Sequence, residues 1–306
     1  MHSDVYQQEV HQTARSKDLK AIKTLIKDGI IKANLIPAFA AGFLAVMYYN
    51  ISFFEAIPVM LLMLLGTTLV IGGVCALNNF YDRDIDRLMK SKQERPSIDG
   101  TFSGKEILTI GFTMVGIGLI MLFLINPTVG VLGLTAAFGY AVVYSIFAKR
   151  HLVSNTIIGA IPGAMPPLIG WAVFEPNLHI LAWAMFIVMF LWQMPHFYAL
   201  AIRRSDEYKE AGIPMLPSVK GNVRTRNSII FWVTLLLFTP LMTFELGIWF
   251  VALTTVLNVI WFYLSVNQFK RITDYNRYAG RIFVFSLNYL VIFFVMIIVA
   301  GLLVNI

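Results

Sequence analysis

The chain has 306 residues, of which 58% are hydrophobic and only 13% charged, and it carries a formal net charge of +7. That balance excludes an ordinary soluble domain and a disordered chain, and it predicts an all-α integral membrane protein set in a lipid bilayer. The basic residues sit in short segments beside long apolar runs, where topology and anionic headgroups account for them, so no nucleic-acid partner is expected.

Taken in chain order, residues 1–32 predict a cytoplasmic, basic amphipathic segment. Arg15, Lys17, Lys20, Lys23, Lys27 and Lys32 give it its charge, and Ile22, Leu25 and Ile26 are expected to face lipid. No apolar core precedes Ile30, so a cleaved signal peptide is not expected. Residues 33–306 read as a single polytopic domain with nine crossings at 33–49, 56–78, 107–125, 128–147, 152–174, 178–202, 228–244, 248–266 and 282–304. Most approach the ~20 residues that a bilayer demands. In this layout all 24 Lys and Arg fall on one side, and the four opposite connections, near Asn50, Asn126, Glu175 and Glu245, carry none. The positive-inside rule makes the basic side cytoplasmic, which puts the N-terminus inside and the C-terminus outside. The expected location is a bacterial-type cell membrane or an organellar inner membrane. The single Cys75 lies within the second crossing, so no internal disulfide can form.

Two groups of acids begin where crossings end on the cytoplasmic side. After the second crossing, Asn78, Asp82 and Asp86 are spaced i, i+4, i+8, which places three oxygen donors on one helical face, with Arg83 and Arg87 on the adjacent stripe. Two carboxylates about 5 Å apart at an effective dielectric near 20 repel by about 3 kcal/mol, and a divalent cation reverses that sign. Oxygen donors without Cys or clustered His favour Mg²⁺. A solvated helix end of mixed charge is the plainer reading of the same motif. The second group, Asp206 to Glu210, follows the sixth crossing beside Arg203 and Arg204. Its offset of four crossings from the first group suggests two four-helix halves plus one helix around a central cavity, where the acidic loops meet. Mg²⁺-binding acids beside guanidinium and ammonium groups suit a diphosphate, and an apolar slot suits an isoprenoid attached to it.

These residues resemble the UbiA superfamily of intramembrane prenyltransferases, whose first aspartate-rich motif is Asn-Asp-x-x-Asp-x-x-x-Asp. Asn78, Asn79, Asp82 and Asp86 stand at those positions, with Asn79 replacing the second residue. Longer strings, from Tyr144 to Arg150, from Asn155 to Trp171, and from Trp192 through His196 and Asp206 to Pro217, resemble the protohaem IX farnesyltransferase family within it. The resemblance implies transfer of the farnesyl group of farnesyl diphosphate to a vinyl group of haem B, with water added, to give haem O. It implies Mg²⁺ as cofactor, held by Asn78, Asp82, Asp86, Asp206 and Glu210, with Arg83, Lys149 and Arg150 on the diphosphate. Asp82, Asp86 and Tyr144 would be catalytic, Tyr144 beside the allylic cation, and a haem A synthase would be a downstream partner. His196, the only His in the deeper part of a crossing, lies one turn from Gln193. It would either satisfy a structural hydrogen bond or bind haem. Pro162, Pro166 and Pro167, with Gly159 and Gly163, would kink the fifth crossing or serve close packing. Two alternatives stay open: a prenyltransferase with a quinone-precursor or chlorophyll-like acceptor, and a secondary transporter.

Overall fold

The computed structural model describes residues 17–267 and 274–303. Arg15, Lys270 and Arg271 lie outside the described residues. The chain begins with a short helix α1 (Leu19–Leu25) and then α2 (Asp28–Tyr48) and α3 (Phe53–Tyr81). A short α4 (Arg83–Asp86) leads into α5 (Gly104–Ile125) and α6 (Pro127–His151). There follow α7 (Asn155–Gly163), α8 (Pro166–Ala172), α9 (Ile180–Arg203) and a short α10 (Ser205–Glu210). The last elements are α11 (Leu216–Leu246), α12 (Ile248–Val266) and α13 (Tyr275–Leu303).

Among the described residues, eight helices are long and apolar enough to cross a membrane. They coincide with eight of the nine expected crossings; the segment expected as the fifth is two half-helices, α7 and α8, joined at Ala164 and Met165. The cause is local. Pro166 and Pro167 have no N–H to give to the carbonyls of Pro162 and Gly163, so the helical ladder stops and restarts with Pro at the first position of α8.

Small residues set how tightly the helices pack. On α3 and α5 the pairs Gly66 and Gly73, and Gly111 and Gly118, face each other so closely that a Cβ on Gly73 would come within 2.7 Å of the Gly111 carbonyl oxygen. In lipid, where apolar surface alone gives helices little reason to associate, such close backbone contact supplies the van der Waals attraction. Of the eight long helices α9 is the most enclosed, and the ring-rich core includes Trp171, Trp261, Tyr289, Phe250 and Phe293.

The N-terminal segment departs from the expected surface helix. Leu25 is fully buried and Ala21 nearly so, packed with Ala76, Phe102 and Ile107 of the protein, while Ile22 stays exposed. A partner inside the fold has replaced lipid for Leu25, because α1 is only seven residues long and turns straight into α2. At that turn Lys27 adopts a left-handed backbone (φ 54°, ψ 60°), a conformation that non-glycine residues rarely hold.

Candidate active site

Helix α3 ends at Tyr81, and Asp82 links it to α4 with φ −85° and ψ 3°. The helical course is nearly continuous, so Asn78, Asp82 and Asp86 stay close to the expected face, and all three are buried. Asn78 Nδ2 donates to Asp82 Oδ2 at 2.9 Å and to Ser145 Oγ at 3.0 Å, which leaves Asn78 Oδ1 as the acceptor for Lys27 Nζ at 2.6 Å. Lys149 donates to Asp82 Oδ2, and Arg95 donates to Asp86 Oδ2. Asn79 does what a carboxylate in its place would not: its Nδ2 donates to the Leu25 carbonyl at 2.7 Å and its Oδ1 accepts from Arg95 at 3.0 Å. That tie holds the α1–α2 turn, and with it Lys27, against α3.

The structure sorts the remaining expected site residues. Tyr144 lies in a ten-residue π-helical stretch of α6 (Gly139–Ala148) and lines the cavity beside Gly159, where a Cβ would come within 2.7 Å of its ring. Ser145, on the same turn, donates to the Tyr140 carbonyl and so offers its lone pair to Asn78. Arg83 and Arg150 do not reach the cavity. Arg83 lies over the Phe80 ring at 4.0 Å, and Arg150 forms a two-pronged pair with Asp84 at 2.7 and 2.8 Å while resting over Tyr81. The Arg150 guanidinium holds the Asp84 carboxyl down to about 2. Asp206 and Glu210 are exposed, and Asp206 borders a separate polar cleft with Arg203, Asn222 and Asp274. The acidic loops do meet, through Ser91 on Glu207 at 2.6 Å and an apolar contact of Met89 with Ile213 and Met215, but this turns Asp206 and Glu210 outward. From that loop Arg204 and Tyr208 line the central cavity instead.

That cavity has a volume of about 540 Å³. Its mouth is lined by Lys27, Asp86, Lys92, Arg95, Lys149 and Arg204, and its interior by residues such as Val70, Leu122, Met189, Trp192, Gln193, His196 and Leu290. Burial shows in the lysines: reinforced by Arg95, it brings Lys92 down to about 7, and it brings Lys27 down to about 8. Such a mouth is built for an anion. Lys27 and Arg95 escape notice in the sequence because each reaches the motif from another segment, Lys27 across 51 positions.

Whether the donors fit a divalent metal is decided by their chemistry. Asp82 Oδ1 is buried and accepts no hydrogen bond, with the Arg150 guanidinium 3.9 Å away. Together with the Asn78 amide and Asp86 it forms a hard oxygen set of the kind that Mg²⁺ takes, leaving its other positions to phosphate and water. No cage of three or more His, Cys, Asp or Glu converges among the described residues, so a metal here would complete its shell with phosphate and water.

Deeper in the cavity, His196 lies between the Trp192 and Phe283 rings, each 4.8 Å away and nearly parallel. Its Nδ1 is 2.8 Å from Ser286 Oγ, and that hydroxyl donates to the Phe283 carbonyl at 2.5 Å. Since the Ser286 hydrogen is committed, His196 Nδ1 must be the donor, which leaves Nε2 with an unshared lone pair. Gln193 donates to the carbonyls of Ala160 and Met189 at 3.1 Å and so pins α9 to α7.

The sequence profile of the UbiA prenyltransferase family matches residues 34–289. The chain belongs to the UbiA prenyltransferase family. Within that family it is 53% identical to the protoheme IX farnesyltransferase of Macrococcus caseolyticus, over 96% of each chain. It is 50% identical to the protoheme IX farnesyltransferase of Staphylococcus saprophyticus, over 92% of this chain and 93% of that one. Among solved structures it superposes on a UbiA homologue from Archaeoglobus fulgidus bound to DMAPP and Mg²⁺, with a TM-score of 0.68, 18% identity, and coverage of 89% of this chain and 99% of that one. The last likeness shows the fold alone; the long apolar helices and the family membership make this chain a multi-pass membrane protein.

Proposed function

We propose that this chain transfers the farnesyl group of farnesyl diphosphate to a vinyl group of haem B, with addition of water, to give haem O and diphosphate. One observation carries the reading: a single cavity joins a cationic mouth, backed by Asn78, Asp82 and Asp86, to an apolar interior where His196 stands between flat rings. The protoheme IX farnesyltransferases that share half of its sequence support haem as the acceptor over a quinone precursor.

Mg²⁺ held by Asn78, Asp82 and Asp86 would neutralise the charge that develops on the leaving diphosphate. Lys149, with Lys27, Lys92 and Arg95, would bind the diphosphate oxygens, and the contacts described above aim Lys149, Lys27 and Arg95. Arg83 and Arg150 would act only indirectly, Arg83 by anchoring α4 to Phe80 at the end of α3 and Arg150 by anchoring the end of α6 to Asp84 of α4. Tyr144, at the boundary between mouth and interior, would present its ring to the allylic cation while the apolar wall excludes water. His196 Nε2, unprotonated in the tautomer that Ser286 imposes, is a competent ligand for haem iron. The basic mouth would open to the cytoplasm of a bacterial-type cell, with haem O leaving towards a haem A synthase.

The acceptor is tested with purified protein and haem B. His196→Ala should weaken haem binding and shift the Soret band while farnesyl diphosphate still binds. An unshifted band with normal haem affinity would remove His196 from the haem site.

A further inference from the structure

The proposed reaction has a second half that the metal, the cations and Tyr144 do not serve. When the terminal vinyl carbon bonds to C1 of the farnesyl group and diphosphate leaves, the inner vinyl carbon, next to the macrocycle, becomes a cation. That cation can end in two ways. It loses a proton from the neighbouring carbon and becomes an alkene, or it bonds to a water oxygen, which then loses a proton and stays as a hydroxyl. The proposed product carries the hydroxyl, so one water must be held in a cavity whose walls keep bulk water out.

Gln193 is a polar side chain suited to that task. It is buried, lines the cavity, and stands one turn from His196 on the same face of α9. Its amide orientation is set by its partners: both Nε2 hydrogens go to carbonyls, of Ala160 and of Met189, at 3.1 Å. Oε1 is left as the accepting atom, and no donor among the described residues bonds to it. Gly163, also on the cavity wall, leaves that oxygen its space, since a Cβ there would collide with it. An amide whose nitrogen is tied down in this way cannot turn round to donate. A water that donates to Oε1 therefore keeps its own lone pairs for the cavity side.

We propose that Gln193 Oε1 positions the water that ends the reaction. The water donates one hydrogen to Oε1, its oxygen bonds to the inner vinyl carbon, and its other hydrogen passes as a proton to the released diphosphate, the base that the transfer itself supplies. As positive charge builds on the water, its hydrogen bond to Oε1 strengthens, which favours addition over loss of a proton to the alkene. A macrocycle held by His196 Nε2 rests against the same wall, so the water meets it from the side of Gln193. This inference rests on the haem reading of the cavity.

The test incubates the full chain in detergent with haem B, farnesyl diphosphate and Mg²⁺ and weighs the extracted haem by mass spectrometry. Hydrated and anhydrous farnesyl products differ by one water and are counted separately. Gln193→Leu should lower the ratio of hydrated to anhydrous product about tenfold or more, the scale of one lost hydrogen bond to a charged group. Gly163→Ala should lower it too, because its Cβ displaces the end of the Gln193 side chain, and it provides the reading if Gln193→Leu does not fold. Gln193→Glu keeps an acceptor oxygen but loses the donors that tie α9 to α7, so it should melt at a lower temperature yet keep the water in its product. A merely structural Gln193 would lower the yield of each variant without moving the ratio. An unmoved ratio in Gln193→Leu and Gly163→Ala would overturn the assignment, as would a Gln193→Glu product as anhydrous as that of Gln193→Leu. If the unsubstituted chain farnesylates no haem, the proposed function falls and the water site with it. If it makes the hydrated product and the variants leave the ratio fixed, only the water site falls.

Discussion

Removing the charge of Asp82 should damage both the fold and the reaction, and a second substitution should rescue only the fold. Asp82 has no exposed surface, and its Oδ2 receives Lys149 while the Arg150 guanidinium stands 3.9 Å from Oδ1. At an effective dielectric near 20, a unit pair at that separation is worth about 4 kcal/mol, and breaking a buried pair by removing one partner costs about 3–5 kcal/mol. Asp82→Asn strands Lys149, and Lys149→Met strands Asp82, so each single variant should lose stability on that scale. The double variant buries neither charge of the pair and should recover about 3 kcal/mol relative to the sum of the singles, the coupling energy of a double-mutant cycle. Thermal unfolding in one detergent measures the fold, and Mg²⁺-dependent release of diphosphate measures the reaction. All three variants should remain catalytically poor, because the proposed metal oxygen or the proposed diphosphate cation is gone in each. Additive stabilities in the cycle would refute the claim that Lys149 and Asp82 act as a pair.

The lysines make stability depend on pH in a defined direction. Lys92 and Lys27 sit near 7 and 8 in the fold against an ordinary 10.5, so between about pH 7 and 10.5 the unfolded chain binds more protons, and the ligand-free protein should gain stability as pH rises through that window. Saturating diphosphate should flatten this rise in melting temperature, and a rise unchanged by diphosphate would show that neither lysine meets the anion. Gly73→Val should wedge α3 from α5, since even a Cβ would fall 2.7 Å from the Gly111 carbonyl, and overpacking of this kind costs about 1–3 kcal/mol in unfolding experiments. Single cysteines at Ser91 and Asn177, in a Cys75→Ser background, should react with an impermeant reagent from opposite faces of the membrane, and equal labelling in intact cells would contradict the orientation.

Much of this architecture is written in hydropathy alone. The run at 248–266 coincides with α12, because glycine and a turn bound it on one side and polar residues on the other. The fifth crossing was legible as a kinked segment through its prolines, but its division into α7 and α8 depends on which carbonyls lose their donors. Asn78, Asp82 and Asp86 were legible because helical spacing is local. Their cationic partners were not: Lys27 and Arg95 arrive through turns whose geometry depends on Asn79 and Leu25. Arg83 and Arg150 stand beside the motif and the cavity in sequence, yet nearby partners, the Phe80 ring and Asp84, draw their side chains away. Asp206 illustrates the same limit. Packing of Met89 against Ile213 and Met215 decides which face of α10 turns inward, and sequence spacing is silent about that contact.

The central claim is that this one cavity joins a farnesyl group to haem. The most direct measurement is mass spectrometry of haem extracted after the purified chain is incubated with haem B, farnesyl diphosphate and Mg²⁺. The account predicts a product heavier than haem B by one farnesyl group and one water, formed only when all three are present and lost in Asp86→Asn. Recovery of unmodified haem B alone, from a folded protein that binds farnesyl diphosphate, would contradict it.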